Sequence, residues 1–275
     1  MRVASARPLT YATSSLVKRY SGSLFGLTSR HQIVSKLPDL DRLMSRSHHT
    51  LTAEPMQYTM FTRVFGATDS AQLKAKIENS WKELLNPIED LFLNDAAAIA
   101  ALQRADVPEK ASAFVTFEPR IDRKMRCEKA ANARVLQFDR SKPQLAVEAD
   151  LQSLTRDFGA CAAIPLLYGQ DFLDRNESLL ANFWKFDNDA LPLLMLGCPI
   201  WLPLTGFKEG IAARARLSNA MEALYRCIDQ HQSGQHIDFG ADLSDISRAA
   251  LRRNAVYHQK QWSFRERAGG DLAIL

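Results

Sequence analysis

FWKFDNDALPLLMLGCPIWLPLTGFKEGIAARARL, residues 183–217, carries three kinds of chemistry in succession. Phe183, Trp184 and Phe186 make an aromatic-rich start. An apolar run follows from Leu191 to Leu204, interrupted by Pro192, Pro199 and Pro203. A basic amphipathic segment with Lys208, Arg214 and Arg216 closes the stretch. The apolar run is shorter than the ~20 residues a membrane-spanning helix requires. Its prolines also exclude one regular helix, because each removes a donor and its ring clashes with the preceding turn. A Pro-broken apolar connection of this kind is either core or a surface that touches lipid or admits apolar ligands.

Helical periodicity stands on both sides. Upstream, Val147, Leu151, Leu154, Phe158 and Cys161 form one stripe from Ala146. It runs into Ile164, Leu166 and Leu167, with Pro165 and Gly169 ending it; the end is apolar nearly all round, as in a buried central helix. Downstream of Gly206, Leu217, Met221, Leu224 and Ile228 share a stripe that Gly234 terminates. Leu73, Ile77, Leu84, Ile88 and Leu91 predict a helix from Ala71, capped by Asp69 or Ser70, with Pro87 kinking or splitting it. Asp95 caps an Ala-rich turn through Leu102, Asp106–Pro119 is loop, and Arg120–Arg140 is a charged, marginally helical, solvated face. Asp242 or Ser244 caps a helix through Tyr257, and a last helix begins at Trp262. That helix has no stop signal before Leu275, which predicts a chain cut short. It also contains Gly269 and Gly270, which cost helix stability unless something packs close.

The opening reads differently. Residues 1–36 are rich in Ser, Thr, Val and Tyr and predict two short strands, Ser23–Leu27 and Gln32–Ser35. A short helix follows at Leu37–Met44, behind Pro38. The expected fold class is therefore mainly α with a small N-terminal β-sheet, in a single domain over residues 1–275.

The composition is that of a globular protein: 46% hydrophobic and 24% charged, with a net charge of +4. Lys and Arg are spread along the chain, not gathered in a stripe with interleaved aromatics, which argues against a nucleic-acid partner. The four cysteines, Cys127, Cys161, Cys198 and Cys227, form no C-x-x-C pair and read as free thiols of a reducing compartment, three of them in apolar or helical surroundings and Cys127 apart. His48 and His49, and His231 and His236, lack the carboxylate or cysteine company of a metal site. There is no G-x-S-x-G, Gly-rich phosphate loop or G-x-G-x-x-G. From residue chemistry alone, a helical scaffold or membrane-surface binding protein without catalysis stands open.

The order of features adds a resemblance. LYGQDF at 167–172, an Asn/Glu-containing turn, FWKFD at 183–187, the Pro-containing apolar run and the basic ARARL at 213–217 resemble the cytochrome P450 heme-thiolate monooxygenases. The similar branch includes sterol 7α-hydroxylases, prostacyclin synthases and fungal secondary-metabolism enzymes. FRERAGGDLAIL at 264–275 is similar to the start of that family's long central helix. The resemblance implies the N-terminal half of the family fold: a roof over a substrate channel, dipping towards the membrane. Met195, Ile200, Trp201 and Leu202 would be the substrate-access or membrane-facing residues, and Arg214 and Arg216 would lie near headgroups. It also implies heme as cofactor, an apolar substrate such as a sterol or terpenoid, oxidation by O2, electrons from an NADPH-cytochrome reductase, and the endoplasmic reticulum membrane surface.

Two family motifs are missing from this sequence. No glutamate is followed three residues later by arginine, and no cysteine stands in a Phe-x-x-Gly-x-x-x-Cys loop. In that family a cysteine thiolate donates electron density to heme iron and favours O–O cleavage. The expectation is thus a truncated, inactive monooxygenase half without an anchor, cytoplasmic if expressed as given, and no catalytic, cofactor or metal residue is assigned.

Overall fold

A computed structural model describes residues 54–137, 145–237 and 240–274. The strands predicted in 1–36, the helix at 37–44, and His48 and His49 lie outside the described residues. Among the described residues the architecture is mainly helical with one two-stranded antiparallel sheet. That sheet is mid-chain, not N-terminal: β1 (Arg134–Gln137) pairs with β2 (Leu145–Glu148), with Val135 opposite Val147. Val147, counted in the helical stripe, therefore belongs to a strand, and the following helix starts four residues later. A β-branched residue satisfies both periods, so the stripe alone did not distinguish them.

The chain enters through α1 (Glu54–Thr59) and a π-helical turn, Met60–Val64, that buries Phe61 and Val64. Next comes α2 (Ala71–Leu93), where Ser70 accepts from the Leu73 N–H at 3.0 Å, as its position as a cap predicts. Pro87 does not split α2; it is buried inside a continuous helix. The proline leaves the Glu83 carbonyl without its helical donor. The next carbonyl along, that of Leu84, also accepts from Arg253, which ties the helix to a distant part of the chain at this point. α3 (Asp95–Arg104) is capped by Asn94, not Asp95.

The stretch predicted as loop holds α4 (Val107–Ser112). The charged stretch after it folds as a 3-10 turn, Ile121–Arg123, then α5 (Arg126–Ala130) and β1. It is not merely a solvated face. Glu128 and Cys127 are buried there, and Glu128 accepts from the Thr116 and Met125 N–H groups at 2.8 and 2.9 Å. α6 (Leu151–Tyr168) passes through Pro165 and stops at Gly169; α7 (Gln170–Arg175) and α8 (Leu179–Asp189) follow. After α9 (Leu191–Met195) and a turn, α10 (Thr205–Gln232) is the longest helix described. α11 (Arg248–Gln259), capped by Ser247, and α12 (Phe264–Leu272), with a Ser263–Glu266 capping box, complete the order.

One principal core gathers side chains from all of the longer helices, and Trp262, Tyr225 and Tyr257 are among its fully buried members. Within it lies a polar centre. The Asp271 carboxylate of α12 is fully buried and accepts from Tyr168 of α6 at 2.8 Å, from Tyr225 of α10, and from Arg253 and Tyr257 of α11. Burial, then the Asp271 charge, pushes the Tyr168 and Tyr225 phenols well above their ordinary range. The Tyr257 phenol is also pushed up well above it, by burial first. A second set ties the same helices: Arg267 holds Asp229 at 2.9 and 3.0 Å and Asn254 at 2.9 Å.

Close packing explains the paired glycines. A Cβ on Gly270 would fall inside contact with the Tyr257 hydroxyl and 3.3 Å from Phe61 Cζ; one on Gly269 would lie 3.4 Å from Phe65 Cβ. Gly270→Ala is expected to lower stability by about 1–3 kcal/mol through overpacking, read as a lower urea midpoint at unchanged slope. Gly159→Ala in α6, with nothing within 4 Å, is the control and should be neutral or stabilising.

Candidate functional site

The stretch 183–217 folds as two helices joined by a short helix and an apolar turn. α8 and α10 lie along each other. Their closest approach uses Gly210, whose Cβ would come within 2.7 Å of Ala190 Cβ. Asn182 of α8 accepts from Arg216 Nε at 2.7 Å, and Lys185 bridges Asp189 at 3.2 Å and Glu209 at 2.6 Å. Phe186 and Phe207 are buried in this seam. Trp184 faces α6, donating its indole N–H to Asp157 while the Arg156 guanidinium lies 4.0 Å above its ring. Trp184 and Phe186 therefore anchor the pair to the body of the protein.

At the far end, the prolines shape the connection. Cys198 N–H returns to the Leu193 carbonyl at 2.9 Å, and Leu202 N–H bonds to the Pro199 carbonyl at 3.0 Å. The second bond closes a four-residue turn with Ile200 and Trp201 at its two central positions. Central turn residues project outward, and these are 59% and 74% exposed. Leu196 and Leu204 are exposed beside them. Of the predicted access residues, Ile200 and Trp201 thus form the surface. Met195, at the end of α9, and Leu202, which closes the turn, are half-buried and pack against the core. Leu196 and Leu204 were missed; two leucines flanking a Pro-bounded turn were the available signal.

The basic residues also differ from expectation. Arg214 is half-buried and donates to the Arg63 and Val64 carbonyls at 3.3 and 2.9 Å, closing the end of the π-helical turn. Burial, then the charge of Arg265, pulls its guanidinium below the ordinary value. Arg216 is engaged with Asn182. Both join one element to another, Arg214 half-buried and Arg216 exposed on α10; Lys208 is the exposed cation of this segment nearest the turn.

Asp271 lies in the helix that resembles the family's central one, yet it has no acceptor to spare. Its two oxygens accept five hydrogen bonds, so it is a structural centre and not a general base. The cysteines do not fit an axial heme ligand either. Cys227 is buried in the principal core on α10, and Cys198 stands in the turn before Pro199. Cys127 and Cys161 line a cavity of about 170 Å³, too small for a porphyrin when small-molecule sites run to roughly 300–1,000 Å³. Among the described residues, no helix is long and apolar enough to cross a membrane, and no group of three or more His, Cys, Asp or Glu is placed to hold a metal ion. No family model, no curated protein and no solved structure matches this chain.

Proposed function

We propose that these residues form the substrate-channel side of a heme-thiolate monooxygenase-like fold, working at a membrane surface of the endoplasmic reticulum. The observation that supports it most is the turn around Ile200 and Trp201: an apolar tip, held out by two long helices, in the position the resemblance gives to the channel roof. In this reading apolar substrate, of sterol or terpenoid type, passes from lipid beneath the tip. Heme, O2 activation and contact with an NADPH-cytochrome reductase depend on an axial cysteine that these 275 residues do not supply. The chain by itself is then expected to show no thiolate-type Soret band when reduced under CO.

Vesicle flotation tests the surface part. Trp201→Ser with Ile200→Ser should reduce the bound fraction on phosphatidylcholine vesicles by about tenfold or more, since each side chain contributes roughly 1.5–3 kcal/mol when buried. Unchanged flotation would remove the membrane role. The transcript beyond the Leu275 codon tests the rest: a reading frame encoding Glu-x-x-Arg and the cysteine loop supports the monooxygenase, and a stop or unrelated sequence counts against it. The second reading, a non-catalytic helical protein that binds membranes through the same turn, is favoured by the misfit of every cysteine to heme. Flotation without hemin uptake would select it.

A further inference from the structure

Away from the roof, three sulfur side chains meet at one cavity. Met125, Cys127 and Cys161 all stand on the wall of the space of about 170 Å³. Met125 immediately precedes α5, Cys127 is in α5 and Cys161 is in α6. The cavity lies where the small cluster of Cys127, Ala131 and Leu154 meets the principal core, against which Cys161 packs. Both thiols are free. They come from two helices that pack against each other, so a ligand between them would tie α5 to α6.

We propose that this cavity is a cuprous-ion site, with Cys127 and Cys161 binding as thiolates and the Met125 thioether completing a trigonal set. The choice of ion follows from the donors. Thiolate and thioether sulfur select Cu(I), whereas oxygen donors suit magnesium and calcium, and structural zinc takes four N or S ligands. Charge agrees as well. One Cu(I) and two thiolates carry a net charge of −1, and the cations Lys110 and Arg126 share the wall with a single carboxylate, Asp174. Lys110 donates to Gln170 at 2.9 Å and Arg126 to the Glu177 carbonyl, both neutral partners. Burial holds the two thiols above their ordinary value, so they enter the reaction protonated. Binding then exchanges one Cu⁺ for two protons released to solvent, giving a bis-thiolate complex with no change of oxidation state.

Titration of the reduced, purified chain against the coloured cuprous bicinchoninate complex, without oxygen, tests this. Wild type and the Cys198→Ser control should each withdraw one equivalent of copper. Cys161→Ser should weaken the competition by about tenfold or more, the scale on which losing a supporting group weakens metal binding. Met125→Leu keeps the volume and should weaken it less while leaving the stoichiometry intact. X-ray absorption at the copper edge should report sulfur neighbours alone. Circular dichroism establishes that each variant is folded; should Cys127→Ser not fold, Cys161→Ser and Met125→Leu decide. Undiminished bicinchoninate colour with wild type, wild-type competition by Cys161→Ser, or oxygen and nitrogen in the first shell would each overturn the site.

Discussion

Asp271→Asn is expected to lower stability by about 3–5 kcal/mol, the scale for a buried ion pair that loses one partner. The substitution keeps the shape and one acceptor but removes the charge. Arg253, 2% exposed, is then left without a counter-charge, with the amide oxygen, the Leu84 carbonyl and the Tyr257 hydroxyl to receive its donors. Tyr168 and Tyr225 also lose an anionic acceptor that no neighbouring side chain replaces. Against a typical stability of about 5–15 kcal/mol, this is a large share. Urea unfolding followed by circular dichroism measures it. The double variant Asp271→Leu with Arg253→Met should recover much of the loss, because replacing a whole buried pair by apolar groups is often neutral. If the single substitution costs no more than a surface change, the polar centre does not hold the core together.

The second large effect lies at alkaline pH. Tyr168, Tyr225 and Tyr257 are buried, and burial, with Asp271 adding to it, holds all three phenols well above the ordinary value. Unfolded, each ionises near pH ~10. The folded state therefore keeps protons that the unfolded state gives up. The resulting stability is fully present below pH ~10 and is lost as pH rises from there towards the folded values. With three groups the slope approaches roughly 4 kcal/mol per pH unit. Urea midpoints between pH 9 and 11.5 should fall steeply beyond the first titration, and phenolate absorbance should appear together with unfolding. Tyr168→Phe should make the slope shallower. A phenolate signal from the native protein before any unfolding would contradict the assignment.

Local signals were legible where one residue and its near neighbours decide the structure. Ser70 as a cap and Gly234 after α10 both depend on a single turn of backbone, and both stand as read. Two errors have a different origin. Pro87 was read from its own turn as a kink or a split, yet α2 runs through it unsplit with the proline buried in the core, a tertiary setting that the local sequence does not carry. Val147 satisfied a helical stripe by spacing alone, and only its pairing with Val135 makes it a strand residue. The stretch 183–217 shows both sides. Its apolar, Pro-broken character was plain in the sequence, whereas the outward direction of Ile200 and Trp201 and the inward one of Met195 and Leu202 needed the turn geometry. The polar centre was invisible for the same reason. Tyr168 and Asp271 are 103 residues apart, and no periodicity connects them.

That separation bears on how the protein is born. A ribosome adding about 5–20 residues per second needs roughly ten to thirty seconds to pass from Leu84 to Arg253, a span of 169 residues. Throughout that interval the Leu84 carbonyl lacks its Arg253 donor, and Tyr168 and Tyr225, once made, still wait for the Asp271 carboxylate. The helices in between can form and pack in pairs, as α8 does on α10, but the polar centre is complete only once Asp271 has been made. The anion that joins α6, α10 and α11 is thus supplied last, by the last described helix.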